Sequence, residues 1–124
     1  TCFALTHSEA FKAGVAVAPV TDWHLYDSIY TERYMGQPDE NVEAYKRTSI
    51  IEAAADLSGR LLLVHGTSDD NVHIENTYRF IDALTKAGKP YDLQLYPGKT
   101  HSIRGHDARL HLYRAIERYF KDHL

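Results

Sequence analysis

Apolar positions along the chain predict three strands, each followed by helical segments. The run at 13–18 is apolar without polar alternation, and the strand predicted at 60–65 carries the apolar run 61–64. Such runs are typical of parallel strands buried on both faces. A third strand is predicted at 91–96. Apolar steps of three and four residues predict helices at 2–7, 41–47, 49–56, 74–87 and 107–122. This alternation predicts an α/β fold, with a parallel sheet covered on both faces by helices.

One further helix is predicted directly after the first strand, and its apolar positions are aromatic. Thr21 or Asp22 can cap it. Its face carries aromatic rings at helical spacing, at Trp23, Tyr26, Tyr30 and Tyr34. Such a stripe is typical of a helix packing against the core, and it can also line a ligand pocket.

Two later helices have predicted core faces. The helix at 74–87 places Ile74, Tyr78, Ile81 and Leu84 on one side. The last helix is expected to bury Leu112, Ile116, Tyr119 and Phe120. Three strands make a thin sheet, so we expect the chain to be part of a longer domain.

Composition fits one globular domain and narrows the classes of partner. The 124 residues are 44% hydrophobic and 25% charged, with a formal net charge of −3 and scattered basic residues. Nucleic acid and anionic membranes are therefore poor candidates. No apolar stretch approaches the roughly 18 to 20 residues of a membrane span. The single cysteine, Cys2, excludes an internal disulfide, and the eight histidines show no metal-ligand spacing, so no metal is expected.

Candidate chemistry lies where the predicted strands end, since parallel sheets bind ligands beyond the carboxyl ends of their strands. Val20 follows the first strand, Asp69 to Asn71 follow the second, and His101 follows the third. An acid followed by a histidine is the chain order of the α/β hydrolases. A carboxylate in such a turn is also a common helix cap. The spacing alone does not choose between Asp69 and Asp70.

The nucleophile of this chemistry is not found in the sequence. In α/β hydrolases it precedes the acid, within Gly-x-Ser-x-Gly. The serines before Asp69 lack that frame; they are Ser8, Ser28, Ser49, Ser58 and Ser68. We therefore expect the nucleophile to lie outside these 124 residues.

Three motifs closely resemble the dipeptidyl peptidase IV branch of the prolyl oligopeptidase family. They are VAPVTDW at 17–23, YDSIYTERYMG at 26–36 and HGTSDDNVH at 65–73. The resemblance extends over essentially the whole chain and implies an α/β-hydrolase fold. It also implies that residues 1–124 are the carboxyl-terminal part of the catalytic domain, after the nucleophile elbow, with a β-propeller upstream.

The resemblance assigns roles to individual positions. The family's catalytic aspartate falls on Asp69 and its catalytic histidine on His101. The family's carbonyl-binding asparagine falls on Asn71. The walls of its proline pocket fall on Val20, Trp23, Tyr26, Tyr30 and Val72. One departure is the Lys99–Ser102 loop, where the family often has an acidic residue before His-Gly; His106 therefore stays as an alternative histidine.

By resemblance, the parent protein is a serine exopeptidase that releases amino-terminal dipeptides after a penultimate proline or alanine. No metal or organic cofactor is implied. The resemblance also implies a homodimer formed through the helix at 74–87 and the last helix. It implies a secreted, periplasmic or membrane-anchored location, while a cytoplasmic one stays open, as does tripeptidyl release. The isolated chain is expected to be inactive.

Two alternatives remain. Another acyl hydrolase, such as an esterase, would share Asp69 and His101 without needing Asn71 or the aromatic slot. A non-catalytic assembly module would instead expose apolar surface on the outer side of Tyr113, Tyr119 and Phe120.

Overall fold

Three parallel strands form the centre of the molecule. The structure, a computed structural model, describes residues 1–124. The strands are β1 (Ala13–Val17), β2 (Arg60–Gly66) and β3 (Asp92–Tyr96), in the order β1-β2-β3. All neighbours are parallel, with Val17 opposite Val64 and Leu63 opposite Leu93. The predicted α/β class and all three strands are confirmed.

Helices connect the strands. They are α1 (Cys2–His7), α2 (Ser28–Met35), α3 (Val42–Thr48), α4 (Glu75–Lys86) and α5 (His106–His123). Single turns of 3₁₀ helix lie at Trp23–Leu25 and Ala54–Asp56, so only the end of the helical segment predicted at 49–56 is helical. No helix is both long enough and apolar enough to cross a membrane.

The central strand β2 separates two apolar cores. Leu61 and Leu63 pack in one core with Phe80 and Leu84 of α4 and with residues of α1. Leu62 and Val64 face the other core, with Tyr96 and with Leu112 and Tyr119 of α5. Because alternate strand residues point to opposite faces, α4 and α5 lie on opposite sides of the sheet. The carboxyl end of β2 is therefore held from both sides.

Within these 124 residues, the first strand is buried only in part, which differs from the prediction that it is buried on both faces. Gly14 and Ala16 are buried, but Val17 is 41% exposed. The reason is that, among these residues, β1 has only β2 as a neighbour in the sheet. Its apolar composition resembles that of a central strand, and this pattern alone does not reveal which strand lies at an edge.

The aromatic helix predicted after β1 is two segments. Asp22 caps the 3₁₀ turn by accepting a hydrogen bond from the amide of His24, and Asp27 caps α2 by accepting one from Tyr30. A second capping aspartate therefore starts a new helix after Tyr26.

The predicted core faces of α4 and α5 also need correction. Tyr78 is 43% exposed, and Asn76 and Thr77 are fully buried in its place alongside Phe80 and Leu84. In α5, Leu112 and Tyr119 are buried, while Ile116 and Phe120 are only partly covered. The side chains of Asn76 and Thr77 can be buried because each has a hydrogen-bond partner, which an apolar periodicity does not register.

Candidate active site

Asp69 lies in the turn after β2 and accepts hydrogen bonds at both of its carboxylate oxygens. Its Oδ1 accepts from the amides of Asn71 and Val72, at 3.0 and 2.9 Å. Its Oδ2 lies 2.8 Å from Nδ1 of His101. The carboxylate is thus both the local cap of its turn and the partner of the histidine. Asp70 is exposed, so the structure selects Asp69 as the buried acid.

The surroundings of Asp69 keep its carboxyl ionised. Burial on its own raises the pKa of this group. The hydrogen bond from His101 and those from the Asn71 and Val72 amides outweigh the effect of burial, and the pKa falls below its ordinary value. An ionised carboxylate can only accept hydrogen bonds, so His101 must donate to it from Nδ1.

That donation leaves the second ring nitrogen of His101 free. With the proton on Nδ1, Nε2 carries a lone pair, and Nε2 makes no hydrogen bond within this chain. The side chain is 39% exposed, so Nε2 can meet another reactant. This is the arrangement that a general base needs. The alternative histidine, His106, is exposed at the start of α5 and has no contact with Asp69.

Two loops are joined so that the acid and the histidine meet. The amides of Thr67 and Ser68 donate to the carbonyls of Tyr96 and Lys99, at 3.1 and 3.0 Å. At Gly66 the loops are so close that an added Cβ would overlap the Lys99 carbonyl and lie 2.7 Å from the Thr100 carbonyl oxygen. Only glycine fits this approach, so Gly66 sets the distance between the Asp69 turn and the His101 loop.

Three of the predicted pocket residues form an aromatic cluster beside this pair. The rings of Tyr26 and Tyr30 meet edge to face with centroids 5.4 Å apart. The Trp23 ring lies 6.1 Å from Tyr26 and 6.3 Å from Tyr30. Tyr30 stays 48% exposed, so the cluster presents ring surface outward instead of filling the core. These contacts give a rigid, half-open apolar wall.

Tyr26 joins the aromatic cluster to the acid turn. Its hydroxyl donates to Oδ1 of Asn71 at 2.8 Å. With Oδ1 accepting from Tyr26, the Asn71 amide nitrogen is oriented by the same contact. That nitrogen makes no hydrogen bond within the chain, so it can donate to a ligand carbonyl.

The two predicted valines lie at different places. Val20 lines a groove of about 450 Å³ along β1, together with Trp23, Val17 and Phe3. Val72 is 5% exposed within the acid turn, and its backbone contacts Asp69. Trp23 therefore borders both the groove and the aromatic cluster, whereas Val72 binds the acid through its backbone amide.

The comparisons with known proteins identify the family. The prolyl oligopeptidase family matches residues 1–124, the whole chain. The chain belongs to the prolyl oligopeptidase family. The fold is therefore that of the α/β hydrolases, as the sequence predicts.

Relatives within this family share much of the sequence. Dipeptidyl aminopeptidase A of Saccharomyces cerevisiae is 46% identical over 121 residues, which is 95% of this chain and 13% of that protein. Dipeptidyl-aminopeptidase B of Aspergillus niger is 50% identical over 110 residues, 87% of this chain and 12% of the relative. This chain thus spans only a small part of these relatives.

A solved structure supports the same placement. The crystal structure of Porphyromonas gingivalis dipeptidyl peptidase 4 superposes with a TM-score of 0.97 and 47% identity. The match covers 100% of this chain and 18% of that chain. The match therefore includes all ten helices and strands described above.

Two buried polar residues of this family member were not singled out from the sequence. Asn76 is fully buried in α4, and its Oδ1 accepts from the amide of Thr21 at 3.0 Å, which anchors the segment carrying Val20 and Trp23. His65 is fully buried at the end of β2, beside Asp69. Each is marked in the sequence as a polar residue at an apolar position. Asn76 is four residues from Phe80 on the same helix face, and His65 follows the apolar residues of β2.

No cluster of three or more histidine, cysteine, aspartate or glutamate side chains stands close enough to hold a metal ion. The Asp69 turn instead uses its oxygens for hydrogen bonds from amides and from His101.

Proposed function

We propose that this chain supplies the acid and the histidine of a serine exopeptidase of the dipeptidyl peptidase IV type. In the parent protein this enzyme would release amino-terminal dipeptides after a penultimate proline or alanine. The observation that carries the proposal is the 2.8 Å contact between Asp69 Oδ2 and His101 Nδ1, which leaves His101 Nε2 free. The names of the relatives reported above, two dipeptidyl aminopeptidases and a dipeptidyl peptidase, support the release of dipeptides.

The proposed chemistry begins with a serine contributed from outside this chain. His101 Nε2 accepts the proton of that hydroxyl as its oxygen attacks the scissile carbonyl. The protonated ring then gives the proton to the leaving amine, and a water molecule repeats the cycle to release the dipeptide. Throughout, the Asp69 carboxylate holds the ring by Nδ1 and stabilises the imidazolium.

The proposed recognition uses the aromatic cluster and Asn71. A penultimate proline ring would lie against Trp23, Tyr26 and Tyr30, with Val20 and Val72 closing the pocket. Asn71 Nδ2 would donate to a peptide carbonyl, because Tyr26 occupies Oδ1. A slot of fixed rings favours a compact pyrrolidine or methyl group over a large side chain, since a single methylene there is worth about 1–3 kcal/mol.

We propose further that residues 1–124 are the carboxyl-terminal part of the catalytic domain and that the parent forms a homodimer through α4 and α5. On α5, Tyr113 is 65% exposed and Leu110 is 40% exposed, which supports a contact surface. Tyr119 does not belong to it, because it is buried and its hydroxyl donates to Asp92.

The experiment uses the full-length parent protein. Asp69→Asn and His101→Ala are compared with the matched control Asp70→Asn, with a Gly-Pro anilide as substrate. Loss of the triad acid should lower kcat about 10⁴-fold, because the histidine then takes the wrong tautomer. The Asp70→Asn control should keep its activity, since Asp70 is exposed. Activity in Asp69→Asn equal to that of the control would contradict the proposal.

A second substrate separates the alternatives. A short acyl ester offers no amino-terminal dipeptide, so an exopeptidase should prefer the proline anilide, while an esterase should show the reverse. A folded parent that hydrolyses neither substrate would support the non-catalytic alternative. The isolated 124-residue chain is predicted to hydrolyse neither, because it lacks a Gly-x-Ser-x-Gly nucleophile.

A further inference from the structure

His65 is a buried polar residue directly behind the proposed acid. Its side chain has no exposed surface, and neither does that of Asp69. Its Nε2 lies 2.8 Å from the Val72 carbonyl oxygen and 3.2 Å from Asp69 Oδ2. Its Nδ1 lies 2.7 Å from Oγ1 of Thr77 in α4. Both ring nitrogens are therefore engaged inside the protein.

The partners of the ring assign its tautomer. A carbonyl and a carboxylate can only accept hydrogen bonds, so Nε2 carries the proton and donates to Val72. Nδ1 then accepts from the Thr77 hydroxyl. In this state the N–H edge of the ring faces the Asp69 carboxylate, and the Thr77 hydroxyl prevents the ring from turning over.

The contacts close a ring of three residues. The Val72 amide donates to Asp69 Oδ1, the Val72 carbonyl accepts from His65, and the His65 edge lies against Asp69 Oδ2. Asp69 Oδ2 is also the atom that meets His101. A displaced His65 would thus leave Oδ2 free to rotate away from His101.

We propose that His65 is a positioning residue for the reaction, acting through Asp69. Its Nε2–H holds the Val72 carbonyl and the Asp69 carboxylate in the orientation that keeps Oδ2 on His101 Nδ1. This inference rests on the proposed function of Asp69 and His101. It adds that the orientation of the acid depends on a second, buried histidine that does not touch substrate.

The test compares two substitutions of similar length in the full-length parent. His65→Gln can place an amide N–H where Nε2 lies, whereas His65→Met fills the space without a donor. Competent sites are counted by titration with a serine-reactive phosphonate, and kcat is expressed per titrated site. Partial unfolding lowers the number of sites, while loss of positioning lowers the rate at each site.

H65M should lose about 10- to 100-fold in kcat per site, the penalty of a misplaced catalytic group. H65Q should recover most of that rate. Equal rates per site in H65M and the unsubstituted protein would overturn the inference, and so would an equal loss in H65M and H65Q.

Thr77→Val keeps the test decisive if H65M does not fold. It removes only the hydroxyl that fixes the ring, and Thr85→Val, on the exposed side of α4, is its matched control. Thr77→Val should lose about fivefold in kcat per site, the size of one hydrogen bond. No loss relative to Thr85→Val would overturn the inference.

The Asp69→Asn variant tests the proposed function separately from the inference about His65. If Asp69→Asn is active, the proposed function fails, whatever His65 does. If Asp69→Asn is inactive and the His65 and Thr77 variants are normal per site, only the present inference fails.

Discussion

The two halves of the candidate site are held together in different ways. The acid–histidine half is closed by short hydrogen bonds, and Asp69 is only 4% exposed. The aromatic half rests on contacts between rings, and Tyr30 and Tyr34 are 48% and 70% exposed. The proposed proton-handling groups thus have their geometry set within this chain, whereas the proposed recognition surface is open to a ligand. Tyr26 links the halves through Asn71.

The strongest way to break the first half is to separate its two loops. Gly66→Ala places a methyl group against the Lys99 and Thr100 carbonyls and should push the His101 loop from Asp69. We expect kcat of the full-length parent to fall about 100-fold, because shifts of about 1 Å have this effect. The measurement is kcat on the Gly-Pro anilide per phosphonate-titrated site.

Gly88→Ala is the control for that substitution. Gly88 has a φ of +68° and nothing within 4 Å of an added Cβ. An alanine at this position therefore strains the backbone without displacing the site. It should lower stability while leaving kcat per site intact. If both variants lose kcat equally, Gly66 does not set the loop distance.

The second half is broken most directly at Trp23. Trp23→Ala removes the ring that contacts both tyrosines, and it should lower kcat/KM for the proline substrate about 10- to 100-fold. The rate of labelling by a small phosphonate should change little, since Asp69 and His101 are untouched. Tyr113→Ala, an exposed aromatic on α5, serves as the control. Equal losses in the labelling rate and in kcat/KM would contradict the claim that Trp23 acts on recognition and leaves the acid–histidine half unaffected.

The link between the two halves depends on the hydroxyl group of Tyr26, which a single substitution can remove. Tyr26→Phe keeps the ring but deletes the hydroxyl that orients Asn71. We expect kcat/KM for the proline substrate to fall about fivefold, the worth of one hydrogen bond. The exposed Tyr34→Phe is the matched control, because the Tyr34 hydroxyl makes no hydrogen bond. An unchanged value in Tyr26→Phe would show that Asn71 does not depend on this contact.

The smallest effect concerns stability at acid pH. Because the pKa of Asp69 is lowered in the folded protein, its ionisation stabilises the fold above the unfolded pKa of about 3.9, and this contribution disappears as the pH falls through the folded pKa. Asp69→Asn should therefore flatten the acid side of a thermal-midpoint profile of the parent. The exposed Asp70→Asn should not, and identical profiles for the two would contradict this origin of the stability.

Much of the fold was predictable because the hydrophobic pattern of most segments agrees with their burial in the folded chain. The apolar run of β2 is buried on both faces, as its pattern predicts, and α5 lies within one residue of its predicted bounds. The break between Trp23 and Tyr30 was missed because aromatic periodicity continues through it, while the capping by Asp27 depends on a backbone turn that periodicity does not describe.

The site was predictable in its residue types and less so in its arrangement. Acid-then-histidine order indicates a catalytic pair, but spacing does not choose between Asp69 and Asp70. The family resemblance favours Asp69, and in the structure Asp69 is the one that is buried and in contact with His101. The roles of His65 and Asn76 depend partly on the Val72 carbonyl and the Thr21 amide, which are backbone atoms, and for His65 also on the side chains of Thr77 and Asp69. A polar residue in an apolar register marks both positions, but the identity of their partners is found only in the folded geometry.

The most direct test of the central claim is to locate the nucleophile that Asp69 and His101 serve. The full-length parent is labelled with a serine-reactive phosphonate, and the modified peptide is identified by mass spectrometry. The account predicts one adduct, on a serine outside these 124 residues, whose formation is abolished in Asp69→Asn and His101→Ala. An adduct on a serine within this chain, or labelling unaffected by both substitutions, would contradict it.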